Sequence, residues 1–160
     1  MTPFTKSFIS KSILIGHFDI TKTGMTFDTP YRNSRGKINK NFFINDLGPV
    51  VYIMVCAITK ELIKIGKAAG IGGFYGRMGT YNRGYLGDET NIKIINYMNS
   101  INQNIVLVYA IKAPNKLIEI EDTIENCYFN SYTETASDLE RRWTKRAKAS
   151  GEPLNGSYQK

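Results

Sequence analysis

Residues 49–58 read PVVYIMVCAI. So dense a run of β-branched and aromatic side chains, with no charge inside it, suits a strand covered on both faces. Thr59, Lys60 and Glu61 follow, and a second run, LIKIGK, begins at Leu62. A link this short can only fold the chain back on itself, so the two runs are expected as antiparallel neighbours. A third run, NIVLVYAIKA at residues 104–113, supplies another strand. The expected fold class is therefore α+β: a small antiparallel three-stranded sheet flanked by helices.

The rest of the chain is read around that sheet. FYGRMGTYN is a short helix candidate with Gly84 as its stop, although Gly79 costs about 1 kcal/mol relative to alanine. NIKIINYMNSINQ places Ile92, Ile95, Met98 and Ile101 at helical spacing. KLIEIEDTIENCYFNSY alternates at LIEIE and reads as an extended excursion before the last helix. SDLERRWTKRAKASG is that helix, with Ser137 and Glu140 in capping-box positions and Gly151 as the stop. Residues 1–48 form an N-terminal arm in which KSILIGHFDI and FFIND suit short strands and YRNSRGKINKN suits an exposed basic loop. The expected organisation is this arm, making DNA or dimer contacts, followed by one domain over residues 49–160.

Charge narrows the function. The 160 residues carry a net charge of +7, with a pI of about 9.4. Such an excess favours polyanions, nucleic acid before membrane surfaces. No apolar run approaches the ~20 residues a bilayer span needs, so no membrane partner is expected. Two cysteines, Cys56 and Cys127, permit at most one disulfide, and a reducing cytoplasm is the default location. His17 is the sole histidine, and no Cys/His spacing fits zinc.

The stretch KIGKAAGIGGFYGRMGTYNRGY, residues 64–85, holds four cations, three tyrosines, seven glycines and no acid. That composition suits a path along a phosphate backbone. Arg77 and Tyr81 lie four apart and share a helical face. An arginine fork matches two phosphate oxygens. Hairpin pairing brings Tyr52 near Lys64 and Lys67, with the register left open between the two lysines. A cation there would lower the phenol's pKa and make Tyr52 a candidate general base. Glu140, which also fits a helix cap, is a carboxylate able to hold Mg²⁺ among waters and phosphate oxygens. These groups point to phosphodiester hydrolysis.

The residues Val50-Val51-Tyr52, Lys64-Ile65-Gly66, Arg77-Met78-Gly79-Thr80-Tyr81, Leu139-Glu140-Arg141-Arg142 and Pro153-Leu154-Asn155 stand in the order of the GIY-YIG nuclease motifs. The chain resembles that superfamily over residues 50–155. With lysine in the second motif in place of tyrosine, it looks most like the superfamily's dimeric type II restriction endonucleases. The resemblance implies Tyr52 as general base, Lys64 stabilising the tyrosinate, Arg77 on the scissile phosphate, Tyr81 assisting, and Glu140 as the direct ligand of one Mg²⁺, for which Mn²⁺ can substitute. Gly66 and Asn155 would support the site. Lys67, Arg83, Arg32, Arg35, Lys37, Arg141 and Lys145 are the expected DNA contacts. The implied activity is Mg²⁺-dependent cleavage of double-stranded DNA at a short symmetric site by a homodimer of a restriction-modification system. The alternatives are a phage or mobile-element nuclease of the same superfamily and a non-catalytic nucleic-acid binder.

Overall fold

The computed structural model describes residues 1–68, 70, 72–112, 118–121, 126–129, 140–141, 144–145 and 147–149, with backbone alone at 118–121 and 126–129. The chain opens on a helix, α1 (Pro3–Lys11), within the expected N-terminal arm, for which the sequence suggests short strands and a basic loop but no helix. Local signals for it are present. Thr2 caps it by accepting from the Thr5 amide, and Pro3 sits in the first turn, where no amide is needed. Phe4 and Phe8, four apart, turn the same face inward.

Two strands follow, β1 (Ile13–Ile20) and β2 (Met25–Asp28), joined by a tight turn in which the Thr21 amide donates to the Gly24 carbonyl at 2.9 Å. FFIND, expected as a strand, is instead a π-helical turn over Phe42–Leu47, ended by Gly48 at φ 66°. Its contiguous apolar residues fit either state, and packing decides: Phe43 is fully buried between Phe27 and Phe74. The expected hairpin is β3 (Val50–Cys56) with β4 (Leu62–Ala68). Helix α2 (Gly73–Tyr81) follows, then a 3₁₀ turn over Gly84–Leu86, helix α3 (Glu89–Ser100) and strand β5 (Ile105–Lys112). In α3 the buried aliphatic residues are Ile94, Ile95 and Met98, whereas Ile92 and Ile101 sit at its margins.

The sheet has five strands, not three, in the order β2-β1-β5-β3-β4, with every neighbouring pair antiparallel. The miscount has a physical cause. β1 joins the sheet by pairing with β5, as in His17 opposite Leu107, and a contact between such distant segments leaves no local pattern. The excursion forms a separate pair, β6 (Ile118–Glu121) with β7 (Asn126–Phe129), consistent with its alternation. Residues 140–141, 144–145 and 147–149 are helical, as the last helix requires, while Ser137, Gly151 and Asn155 lie outside the described residues.

Both faces of the β3–β4 half of the sheet are covered. On one face Tyr52, Met54 and Cys56 join a core with Phe43, Phe74, Tyr81, Ile94 and Met98. On the other, Val51, Ile53 and Val55 pack with Phe4 and Phe8 of α1 and with Ala147. β3 is thus buried along its whole length, which explains why its sequence shows no polar alternation. Cys56 is a buried free thiol in that core. No described helix is long and apolar enough to cross a membrane.

Phe8 is 4% exposed and covers the β3 face opposite the tyrosines. Phe8→Ala is expected to lower stability in urea unfolding by on the order of 3 kcal/mol; a loss below about 1 kcal/mol would show that α1 is dispensable to the core.

Candidate active site

The pleat of the hairpin decides which side chains meet. Tyr52 pairs with Gly66 and Met54 with Lys64, so Tyr52, Gly66 and Lys64 share one face of the sheet. Lys67 pairs with Val51 and starts from the opposite face. The ring of Tyr52 lies directly on Gly66: a Cβ at position 66 would stand 2.4 Å from both Cζ and Oη of Tyr52. Glycine is required here by close approach, not by backbone conformation.

α2 supplies the other half. It stacks on the same face, with Phe74 edge-on to Tyr52 at 5.1 Å between ring centroids. Tyr81, at the end of this helix, brings its hydroxyl to 2.7 Å from that of Tyr52, one donating to the other. Arg77, one turn earlier, places its guanidinium carbon 5.4 Å from the Tyr81 ring centroid, and its charge acts on both phenols. Its Nε is buried with no hydrogen-bond partner among the described residues.

Two asparagines that the sequence reading passed over hold this helix end. Asn91, fully buried, donates from Nδ2 to the carbonyls of Thr80, Tyr81 and Gly84 at 2.9, 3.4 and 3.1 Å. Asn82 accepts from the Phe27 amide at 2.8 Å and ties the same turn to β2. The available signal was Asp88, which caps α3 by accepting from the Asn91 amide; nothing in the sequence marks a buried asparagine as such.

Burial dominates the electrostatics. Tyr52 is expected from sequence to have a lowered pKa; it is raised instead, because desolvation penalises the phenolate more than Arg77 and the Tyr81 hydrogen bond favour it, and the negative charge of Glu140 adds to the rise. Tyr81 is pushed well above the ordinary phenol value, first by burial and then by Tyr52. Burial lowers Lys64, with Glu140 pulling the other way and Arg77 reinforcing the fall. Burial likewise opposes the charge of Arg77, but the phenol oxygens outweigh it and hold the guanidinium charged. Arg77 therefore acts on Tyr52, Tyr81 and Lys64, and Glu140 on Tyr52 and Lys64, although these groups come from β3, β4, α2 and the C-terminal helical residues.

The remaining sequence candidates lie elsewhere. Arg83, Arg141 and Lys145 are exposed, and Lys67 is half-buried at the end of β4. In the N-terminal loop Arg32 is engaged on all three nitrogens: it donates to the carbonyls of Thr29 at 3.1 Å and Gly36 at 2.8 Å and ion-pairs with Asp28. It braces the loop from which Arg35 and Lys37 project into solvent.

Among the described residues, no three His, Cys, Asp or Glu side chains gather as a metal cage would. Half-buried Glu140 is a hard oxygen donor whose charge reaches both Tyr52 and Lys64. A single carboxylate of this kind fits Mg²⁺, which keeps most of its shell for water and phosphate oxygens.

No family model matches the sequence, and no curated protein matches it. Among solved structures the chain is similar to one described as restriction endonuclease HPY188I in complex with product DNA, at 17% identity and a TM-score of 0.49, over 96% of this chain and 84% of that one.

Two measurements test this geometry. Gly66→Ala should displace the Tyr52 ring and destabilise the fold by more than about 1 kcal/mol; wild-type stability with an unmoved ring would refute the close approach. The raised phenols give a sign to the alkaline limb. Below about pH 10 both states keep their protons; above it the unfolded chain releases them first, so stability falls as pH rises, by about 1.4 kcal/mol per pH unit for each phenol. Tyr52→Phe should make that fall roughly half as steep in denaturant titrations; an unchanged slope would mean that Tyr52 ionises as freely folded as unfolded.

Proposed function

We propose that the protein is a Mg²⁺-dependent endodeoxyribonuclease of the type II restriction class, acting as a homodimer on a short symmetric site in double-stranded DNA, with Mn²⁺ able to replace Mg²⁺. One observation carries the reading. The buried, hydrogen-bonded pair Tyr52–Tyr81 lies beside Arg77, with Glu140 acting on Tyr52 and both Arg77 and Glu140 acting on Lys64. Neither a packing role nor a solvated surface accounts for two cations, two phenols and one carboxylate at one place.

In this reading Tyr52, as the phenolate, takes a proton from the attacking water. The water oxygen bonds to phosphorus, the bond from phosphorus to the 3′ oxygen breaks, and that oxygen takes a proton from solvent, so that the products are a 5′-phosphate and a 3′-hydroxyl. Tyr81, donating to the Tyr52 oxygen, and the charge of Arg77 stabilise that phenolate against the cost of burial. Arg77 also faces the charge that grows on the phosphate oxygens. Lys64, across the hairpin on the same face, adds a further positive charge. Glu140 is the residue that would hold Mg²⁺, and the chemistry this ion supplies is neutralisation of charge on a phosphate oxygen and on the leaving 3′ oxygen. The phenols stay protonated at neutral pH in the free protein, so the cutting rate is expected to climb with pH through the alkaline range.

The test is plasmid DNA incubated with the protein, with and without Mg²⁺. Discrete fragments that appear only with the metal are expected; intact DNA with a shifted band would favour the binder. Tyr52→Phe should cut about 10²- to 10⁴-fold more slowly while still binding DNA. Glu140→Gln should lose Mg²⁺-dependent cutting with binding retained. Parental rates in either variant would remove that residue from the mechanism.

A further inference from the structure

Arg77 also lines an open cavity of about 480 Å³, whose other described lining residues are Lys67, Ala68, Gly70, Gly72, Gly73 and Gly76. Of the described residues that line it, the mechanism above uses Arg77 alone. We propose that it is a second phosphate subsite, holding the backbone phosphate next to the one being cleaved, with Arg77 as the wall shared by the two.

Its chemistry is that of an anion site. Among the described lining residues the ionisable side chains are two cations, and they arrive from different elements, Lys67 from the end of β4 and Arg77 from α2. The buried Arg77 Nε is a donor without a partner among the described residues. Leaving such a donor unmet is costly unless a ligand supplies the acceptor. The Gly73 and Gly76 amides are already given to the carbonyls of Gly70 and Gly72, so the attraction comes from the side chains.

Gly76 explains the shape. It stands inside α2, where glycine costs about 1 kcal/mol relative to alanine. Its φ is not positive, and a Cβ there would meet nothing within 4 Å. No part of the described chain requires this glycine, and in the proposed subsite its missing side chain leaves room for a DNA backbone. Gly70, at the cavity's other rim, is equally open. A phosphodiester, bulky and uniformly anionic, is the ligand that needs both the space and the two cations.

The inference rests on the nuclease reading for its substrate, and the experiment separates the two. Parent, Lys67→Gln, Gly76→Leu and the double variant are compared in plasmid cutting with Mg²⁺, in binding of a short fluorescein-labelled duplex across a KCl series, and in thermal melting. Each single variant is expected to cut roughly tenfold more slowly. Each should also flatten the plot of log affinity against log salt by about 0.9, the counterion release of one phosphate. The double variant should lose no more than either single one. Gly76→Leu should melt at or above the parental temperature, so that its loss is not one of folding. Parental salt slopes in both single variants would overturn the subsite even if the parent cuts DNA. A parent that fails to cut would defeat the nuclease reading, and the slopes would still decide the subsite; a parent that binds no duplex overturns it outright.

Discussion

The contact between the Tyr52 ring and the bare backbone of Gly66 fixes the rest of the site. Because position 66 has no side chain, the phenol can lie flat across the hairpin and still reach the hydroxyl of Tyr81 at 2.7 Å. That reach sets how closely α2 must lie on the sheet, and Phe74 fills the space between them. Asn91 and Asn82 then hold the end of α2 at that distance from two sides. One close approach therefore links the packing of the core to the placement of its ionisable groups.

The same burial that orders these groups opposes their chemistry. A desolvated phenol resists ionisation, and only the nearby guanidinium and the second hydroxyl work against that resistance. Glu140 deepens it by adding negative charge near the phenol. The arrangement thus favours the protonated phenol of Tyr52, chiefly through burial and to a lesser degree through the carboxylate. Lys64 has the complementary problem, since burial weakens its charge while Glu140 sustains it.

Much of this was legible in the sequence where the signal is local. The β3–β4 hairpin follows from two apolar runs and a three-residue link, α3 from helical spacing, β5 from a third apolar run, and α2 from a short segment with a glycine stop. Arg77 and Tyr81 share a face because they are four apart. What could not be read depends on contacts between distant segments. FFIND has strand-like composition, yet the packing of Phe43 against Phe27 and Phe74 holds it as a π-helical turn. β1 and β2 enter the sheet only through β5. The hairpin register, which puts Lys64 on the face of Tyr52 and Lys67 on the other, needed coordinates, because a slip of one residue exchanges the faces. The direction of the Tyr52 shift was misread for a related reason: a neighbouring cation is visible in the sequence, but full desolvation is not.

The strand order also carries a consequence for how the molecule is made. β5 sits at the centre of the sheet, yet it is the last of the five strands to be synthesised. Until it emerges from the ribosome, β1–β2 and β3–β4 are two hairpins, each with an open edge facing the gap that β5 will fill. Topologies of this kind fold slowly, and unpaired edges invite association with other chains. The nascent protein is thus most exposed to mispairing just before residue 105 appears, and a chaperone able to shield strand edges would matter most in that interval.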